Sequence, residues 1–295
     1  MPTASERSRL ISIVQSRQNA RVRELRAAFT RSGRDQTEVI ALEGEHLLAE
    51  ALRSGLRLRT VFVRRDPERH EARLRLLDRL QIPSAVPIVE LTPPVFDSAV
   101  ETESPQGIAA LADPPHFSIS DLLTGSSPLV VITAALQDPG NFGTLIRSVE
   151  AFGASGVLAL PGTVCVWNNK VLRASAGSAF RVPVVMEKHA PAFAALAQHG
   201  IPICAAVPGS SGSEALPCSQ VDWTRPAALL IGNEGSGLSQ DLLDRADRLV
   251  SIPTPGPVES LNAAVAASIL LYEAARQRSR HPAPHVDSPG RAQGA

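Results

Sequence analysis

Apolar residues in the second half of the chain fall in short unbroken runs, at 129–135, 156–160, 202–207, 227–231 and 249–252. Mixed stretches of helical length separate them. Continuous apolar runs of strand length predict strands buried on both faces, and hence a mostly parallel sheet with helices on both sides. The first half has the pattern of a smaller α/β unit. Val22, Leu25 and Phe29 recur at helical spacing over 19–30 beside Arg21, Arg23 and Arg26, which predicts a basic helix. A helix over 45–54, a strand over 59–63, a charged helix over 67–80 and a strand over 86–91 are expected to follow. The stretch 113–127 holds Pro114-Pro115 and Gly125-Ser126-Ser127 and reads as a linker between units over 10–112 and 128–279. Residues 1–10 read as a loose leader. Residues 280–295, rich in Pro, Gly, Ser and His, read as a disordered tail.

Three of the predicted strands end in conspicuous loops. The first is Gln137-Asp138-Pro139-Gly140-Asn141, opening a helix with an apolar stripe of Phe142, Leu145, Ile146, Val149 and Phe152. Arg147 lies nearly two turns beyond Asn141. The second is Gly232-Asn233-Glu234-Gly235-Ser236-Gly237. The third runs from Ser251 through a stiff Pro/Gly segment and puts Glu259, Ser260 and Asn262 at the first turn of an Ala-rich helix. Ligands of parallel α/β sheets sit beyond the carboxyl ends of strands, so the loops are expected to gather at one edge. The glycine-rich loop has neither a following Lys-Ser/Thr nor dinucleotide spacing, and Glu234 would repel a phosphate. A polar or cationic ligand, such as a sulfonium, fits better. Taken singly, the motifs also read as a tight turn, a helix cap and a solvated arginine.

Charge sharpens the division of the chain. Residues 1–80 hold 17 arginines against 11 acidic residues, and the excess of six is balanced by the remainder, so the 295-residue chain is neutral. A basic first half made of arginine suits phosphate contact and points to nucleic acid. The seven histidines hold one HxxxH spacing, His281 and His285 in the Pro-rich tail, where a helix that would bring the two rings together is not expected. They form no HxH pair and the three cysteines no CxxC, so no metal is expected. No serine sits in a nucleophile-elbow context. Apolar runs are too short to span a bilayer, the first residues lack the apolar core of a signal peptide, and the cysteine count is odd. A cytoplasmic protein with reduced thiols is expected.

Together the loops resemble the SpoU/TrmH family of S-adenosylmethionine-dependent RNA ribose 2′-O-methyltransferases, within the SPOUT superfamily. The resemblance rests on Asn141-x-Gly143-x-x-x-Arg147, on Leu230-Ile231-Gly232-Asn233-Glu234-Gly235-x-Gly237, and on Ile252-Pro253 through Glu259-Ser260-Leu261-Asn262, in that order. The segments 104–109 and 170–177 are also similar to family segments. Membership implies a trefoil-knotted C-terminal domain, a small α/β N-terminal domain that selects RNA, and a homodimer. It implies cofactor contacts from Val207, Gly232, Asn233, Gly235, Ile252, Pro253 and Leu261. Arg147, Asn141, Glu234, Ser260 and Asn262 would form the catalytic group. Arg21, Arg23, Arg26 and Arg173 would meet RNA. Large-subunit rRNA is the expected substrate. A tRNA substrate, or an RNA-binding module without catalysis, would use the same fold.

Overall fold

The computed structural model describes residues 11–30, 39–209 and 215–280. The expected leader over 1–10 lies outside them. So does the expected tail, apart from Arg280, which closes the last helix.

The first unit is a five-stranded sheet in the order β1-β4-β3-β5-β2. In chain order it comprises β1 (Ile11–Val14), α1 (Ala20–Phe29), β2 (Ile40–Glu43), α2 (Glu45–Arg53), β3 (Leu58–Arg64), α3 (His70–Arg79), β4 (Ile88–Leu91), α4 (Pro93–Asp97) and β5 (Ile108–Ala112). Strands β1, β4 and β3 are parallel, whereas β5 runs antiparallel to both β3 and β2. The helix expected over 19–30 forms with Asn19 as its cap, the Asn19 side chain accepting from the Arg21 N–H at 2.9 Å. Val22, Leu25, Ala28 and Phe29 turn inward, as their spacing predicts. The helix expected from 67 begins at His70, because Asp66 first accepts from the N–H groups of Arg69 and His70 in a turn.

The second unit is an all-parallel seven-stranded sheet, β10-β12-β9-β11-β6-β7-β8. The stretch 113–127 carries a short helix, α5 (Ile119–Leu122), whose Ser118–Asp121 capping box fixes its start. There follow β6 (Leu129–Thr133), α6 (Pro139–Ala151), β7 (Gly156–Ala159), α7 (Asn169–Ser175), a single 3₁₀ turn (Ser178–Phe180), β8 (Val184–Met186), α8 (His189–Gln198), β9 (Ile203–Ala206), β10 (Leu216–Pro217), β11 (Ala227–Ile231), α9 (Gln240–Leu243), β12 (Arg248–Ser251) and α10 (Ala263–Arg280). Every residue of β6, β7 and β11 is buried, as expected of strands covered on both faces.

Apolar side chains on one face of this sheet merge with those of the first unit. Leu48 and Ala51 of α2 belong to the same cluster as Phe142, Leu172 and Phe180. The other face packs a separate cluster around Val130, Leu158, Leu196 and Leu230. Helices α6 and α7 approach closely at Gly143, where a Cβ would lie 2.5 Å from the Ala174 Cβ and 2.6 Å from the Val171 carbonyl oxygen. The glycine is therefore required for the two helices to meet.

Candidate active site

The three loops leave the carboxyl ends of β6, β11 and β12 and are tied together by side chains. Asn141 bridges them. Its Nδ2 donates to Glu234 Oε1 at 3.1 Å, and its Oδ1 accepts from Asn262 Nδ2 at 2.9 Å. Asn262 Oδ1 in turn accepts from the N–H groups of Ala264 and Val265, capping α10. Glu234 also accepts from the backbone N–H of Asp138 at 3.1 Å and of Gln137 at 3.3 Å. Partial burial works against the Glu234 carboxylate. Hydrogen bonds from its own backbone, from Asn141 and from the Asp138 and Gln137 N–H groups outweigh that, and its pKa falls below the ordinary glutamate value.

Asn233 shapes the glycine-rich loop. Its Oδ1 accepts from the N–H groups of Gly235 and Ser236, and its Nδ2 donates to the Ala135 carbonyl at 2.7 Å. Asn233 and Gly237 exchange backbone hydrogen bonds at 3.0 Å. This closure leaves no room beside Gly232, where a Cβ would meet the Gly237 carbonyl carbon at 2.6 Å. Ala135 holds a left-handed backbone, φ 54°, at the first loop.

Under these loops lies a cavity of about 420 Å³, a size that suits a cofactor. Val207, Gly232, Asn233, Gly235, Ile252 and Leu261 line it, together with Glu234 and Ser260. Pro253 is exposed and is not in the lining. The charged lining residues among those described are Glu234 and Glu259. Apolar walls and carboxylates with no Lys or Arg in the lining among the described residues fit a ligand carrying an apolar ring and a positive charge better than a polyphosphate.

Arg147 stands outside the lining. It is exposed on α6, with no hydrogen bond or ion pair among the described residues. In the first unit Arg21 and Arg23 are exposed on α1. Arg26 is half-buried and donates to the Ser98 carbonyl at 2.9 Å and Ser98 Oγ at 3.2 Å, so it braces α4 against α1. Arg173 lies on α7, exposed, and donates to Thr102 Oγ1 at 3.2 Å.

Two local details differ from expectation. The cap of α6 is Asp138, whose carboxylate accepts from the Asn141 N–H at 2.7 Å, so Asn141 is already inside the helix. An Asp followed by Pro at the first helical position is a legible start signal. Helix α10 begins after Asn262, which leaves Glu259 and Ser260 in the preceding loop. Ala135, which no local pattern singles out, is an unforeseen member of the site, as is the Leu238 wall of the cavity.

Residues 128–272 match the SpoU rRNA Methylase family, and residues 19–110 match the MRM3-like substrate binding domain. The chain is 32% identical over 264 residues to the 23S rRNA (guanosine(2553)-2′-O)-methyltransferase RlmP of Bacillus subtilis, covering 88% of this chain and 97% of that protein. The chain belongs to the SpoU methyltransferase family. Its fold matches an AdoMet-bound rRNA methyltransferase from Sinorhizobium meliloti, with a TM-score of 0.75 and 26% identity over 90% of this chain and 98% of the other. It also matches the SpoU methyltransferase AviRb from Streptomyces viridochromogenes in complex with AdoMet, with a TM-score of 0.72 and 28% identity over 89% and 100% of the two chains. In this SpoU chain the loops joined through Asn141 are the segments that carry the family motifs. No helix among the described residues is long and apolar enough to cross a membrane, and none of their His, Cys, Asp and Glu side chains form a group of three fit to hold a metal.

Proposed function

We propose that the protein transfers a methyl group from S-adenosylmethionine to a ribose 2′-hydroxyl of large-subunit rRNA. The observation that carries this reading is the bridge of Glu234, Asn141 and Asn262 beside a cavity lined by carboxylates and apolar groups. Relatives of this family over nearly the full chain, one named for a 23S rRNA ribose, support the substrate class. The cavity residues Val207, Ile252 and Leu261 would hold the cofactor, which supplies an electrophilic methyl group when bound. The chain's own task is to align a ribose oxygen with that methyl and to stabilise its growing negative charge.

Arg147 fits that task as a cation. A guanidinium stays protonated in proteins, so it acts as a clamp on the phosphate beside the target ribose and on the developing oxyanion. Its lack of a partner among the described residues supports such a role. Asn141 and Asn262 hold α6 and α10 in register, which fixes where Arg147 stands relative to the pocket mouth. Ser260 is exposed in the cavity lining and would hydrogen-bond the ribose. The ionised Glu234 locks the first two loops and keeps phosphate away from the methyl donor's side.

The exposed arginines Arg21 and Arg23 suit an RNA backbone entering along α1, with Arg173 nearer the junction of the two units. A second copy of the chain would cover Val265, Ile269 and Tyr272, an apolar row at i, i+4 and i+7 of α10 that is left 36–57% exposed. Ser268, on the same helix, bonds Ser148 of α6 at 2.7 Å, so that dimer would lie beside the helix carrying Arg147. A knotted path through the three loops and a cytoplasmic location accompany this reading. Mapping of 2′-O-methyl sites in total RNA from cells with and without the protein tests it. One ribose of large-subunit rRNA is expected to lose its methyl group. A loss confined to tRNA, or no loss at all, would overturn the assignment.

A further inference from the structure

We propose that Arg181 is a positioning residue that locks the first unit onto the helix carrying Arg147, and so sets where RNA gripped by that unit meets the methyl-transfer site. The inference rests on the reading of the protein as an RNA methyltransferase. Arg181 follows the 3₁₀ turn after α7. Its guanidinium meets Glu150 in a two-pronged contact, Nε to Oε1 at 2.5 Å and Nη2 to Oε2 at 3.0 Å. Its remaining arm crosses to the first unit, where Nη1 donates to Glu50 Oε2 and to Ser54 Oγ, each at 2.9 Å. Glu150 is on α6, three residues past Arg147. Glu50 is on α2, with a side chain only 10% exposed. Four of the five N–H donors of one guanidinium are thus divided between two units.

The neighbouring chain gives the lock a rigid seat. At Gly177, φ 89°, a Cβ would lie 2.6 Å from the Cβ of Glu50, so the backbone lies directly against α2. One helix earlier, Arg173 donates to Thr102, whose hydroxyl donates to Glu43 Oε2 at 2.6 Å. The segment 173–181 therefore holds the first unit at three points: Arg173, Gly177 and Arg181. Its own helix α7 is pressed on α6 at Gly143. A route of direct contacts then runs from α2 through Arg181 to the helix that bears Asn141 and Arg147. An arginine serving only its own unit's stability would have no need of a planar fork shared between carboxylates on two of them.

The test uses the full chain. Spin labels at Glu68→Cys and Gln198→Cys, with Cys165→Ser removing the half-exposed native thiol, report the distance between the units. In parallel, an unmodified large-subunit rRNA transcript gives kcat and KM, and calorimetry gives the affinity for S-adenosylmethionine. Arg181→Ala is expected to broaden the distance distribution and to raise KM for the transcript by about fivefold, the upper range for a partly exposed ion pair. Affinity for the cofactor should stay within about twofold of the parent. Glu50→Gln keeps the side chain's shape, removes the charge that faces the crossing arm and also pairs with Arg53 within α2, and should act in the same direction. An unchanged distance distribution in both variants overturns the proposal, as does an unchanged KM in an active enzyme. Equal losses in KM, kcat and cofactor affinity would also overturn it, since they mark general loosening. A parent protein that methylates no transcript would refute the reading of function, while the distance measurement would still decide the role of Arg181.

Discussion

Asn141 spends both ends of its amide on other loops, and Arg147 on the same helix spends none of its donors on the described residues. The contrast separates residues that build the site from one that is left free to meet a substrate. Arg147→Ala is expected to lower methyl transfer by at least about a hundredfold, the scale seen when one donor to a developing oxyanion is lost. Cofactor affinity measured by calorimetry should be unchanged. Glu234 gives a prediction in pH. Its folded pKa lies below the ordinary 4.5, so its contribution to loop stability is complete above that value and is lost as pH falls through the lower folded one. Cofactor affinity titrated into acid should weaken in that window, and Glu234→Gln should flatten the dependence. Gly232→Ala would force a Cβ against the Gly237 backbone, and calorimetry should find cofactor binding lost while the thermal melt persists.

At the scale of elements, α6 and α10 share the site between them. Helix α6 is held at its start by Asp138, against α7 by Gly143 and against α10 by the Ser148–Ser268 hydrogen bond. Helix α10 is fixed at its far end, where Arg278 donates to the carbonyls of Trp223, Ser127 and Arg225. Its outer row of Val265, Ile269 and Tyr272 remains open, with Tyr272 meeting Phe152 edge-on at 5.9 Å. Ile269→Glu would place a charge in that row. The proposed dimer predicts that the parent sediments as a dimer and this variant as a monomer, with unchanged helical content.

For the whole molecule, the legible parts were those with strong local signals. The buried strands β6, β7, β9, β11 and β12 were readable because each is a continuous apolar run between breakers. The short strands escaped notice: β8 has three residues and β10 two, and β5 gains its place only by antiparallel pairing with β2 and β3. The motif loops could be found from composition, but the Asn141 bridge depends on which rotamers meet across 93 and 121 positions. The junction between the units was not legible at all, because Glu50, Glu150 and Arg181 are residue types that any surface carries. The uneven charge points to the first unit, where RNA binding is proposed on the exposed Arg21 and Arg23. Changing both to Gln should weaken RNA binding and flatten its salt dependence by about one unit of log–log slope for each phosphate no longer neutralised. Cofactor affinity should not respond.

The bond between Asn262 and Asn141 also has a meaning in time. A ribosome delivers the first loop long before the third, which follows it by 121 positions. A growing polypeptide can carry the Asn141 and Glu234 loops while the wall from Ile252 to Leu261 is still unmade. On the proposed reading, a complete methyl-donor pocket exists only in chains whose synthesis has passed the start of α10. A chain truncated before Ile252 would carry the proposed RNA-binding unit without the wall that completes the proposed cofactor pocket.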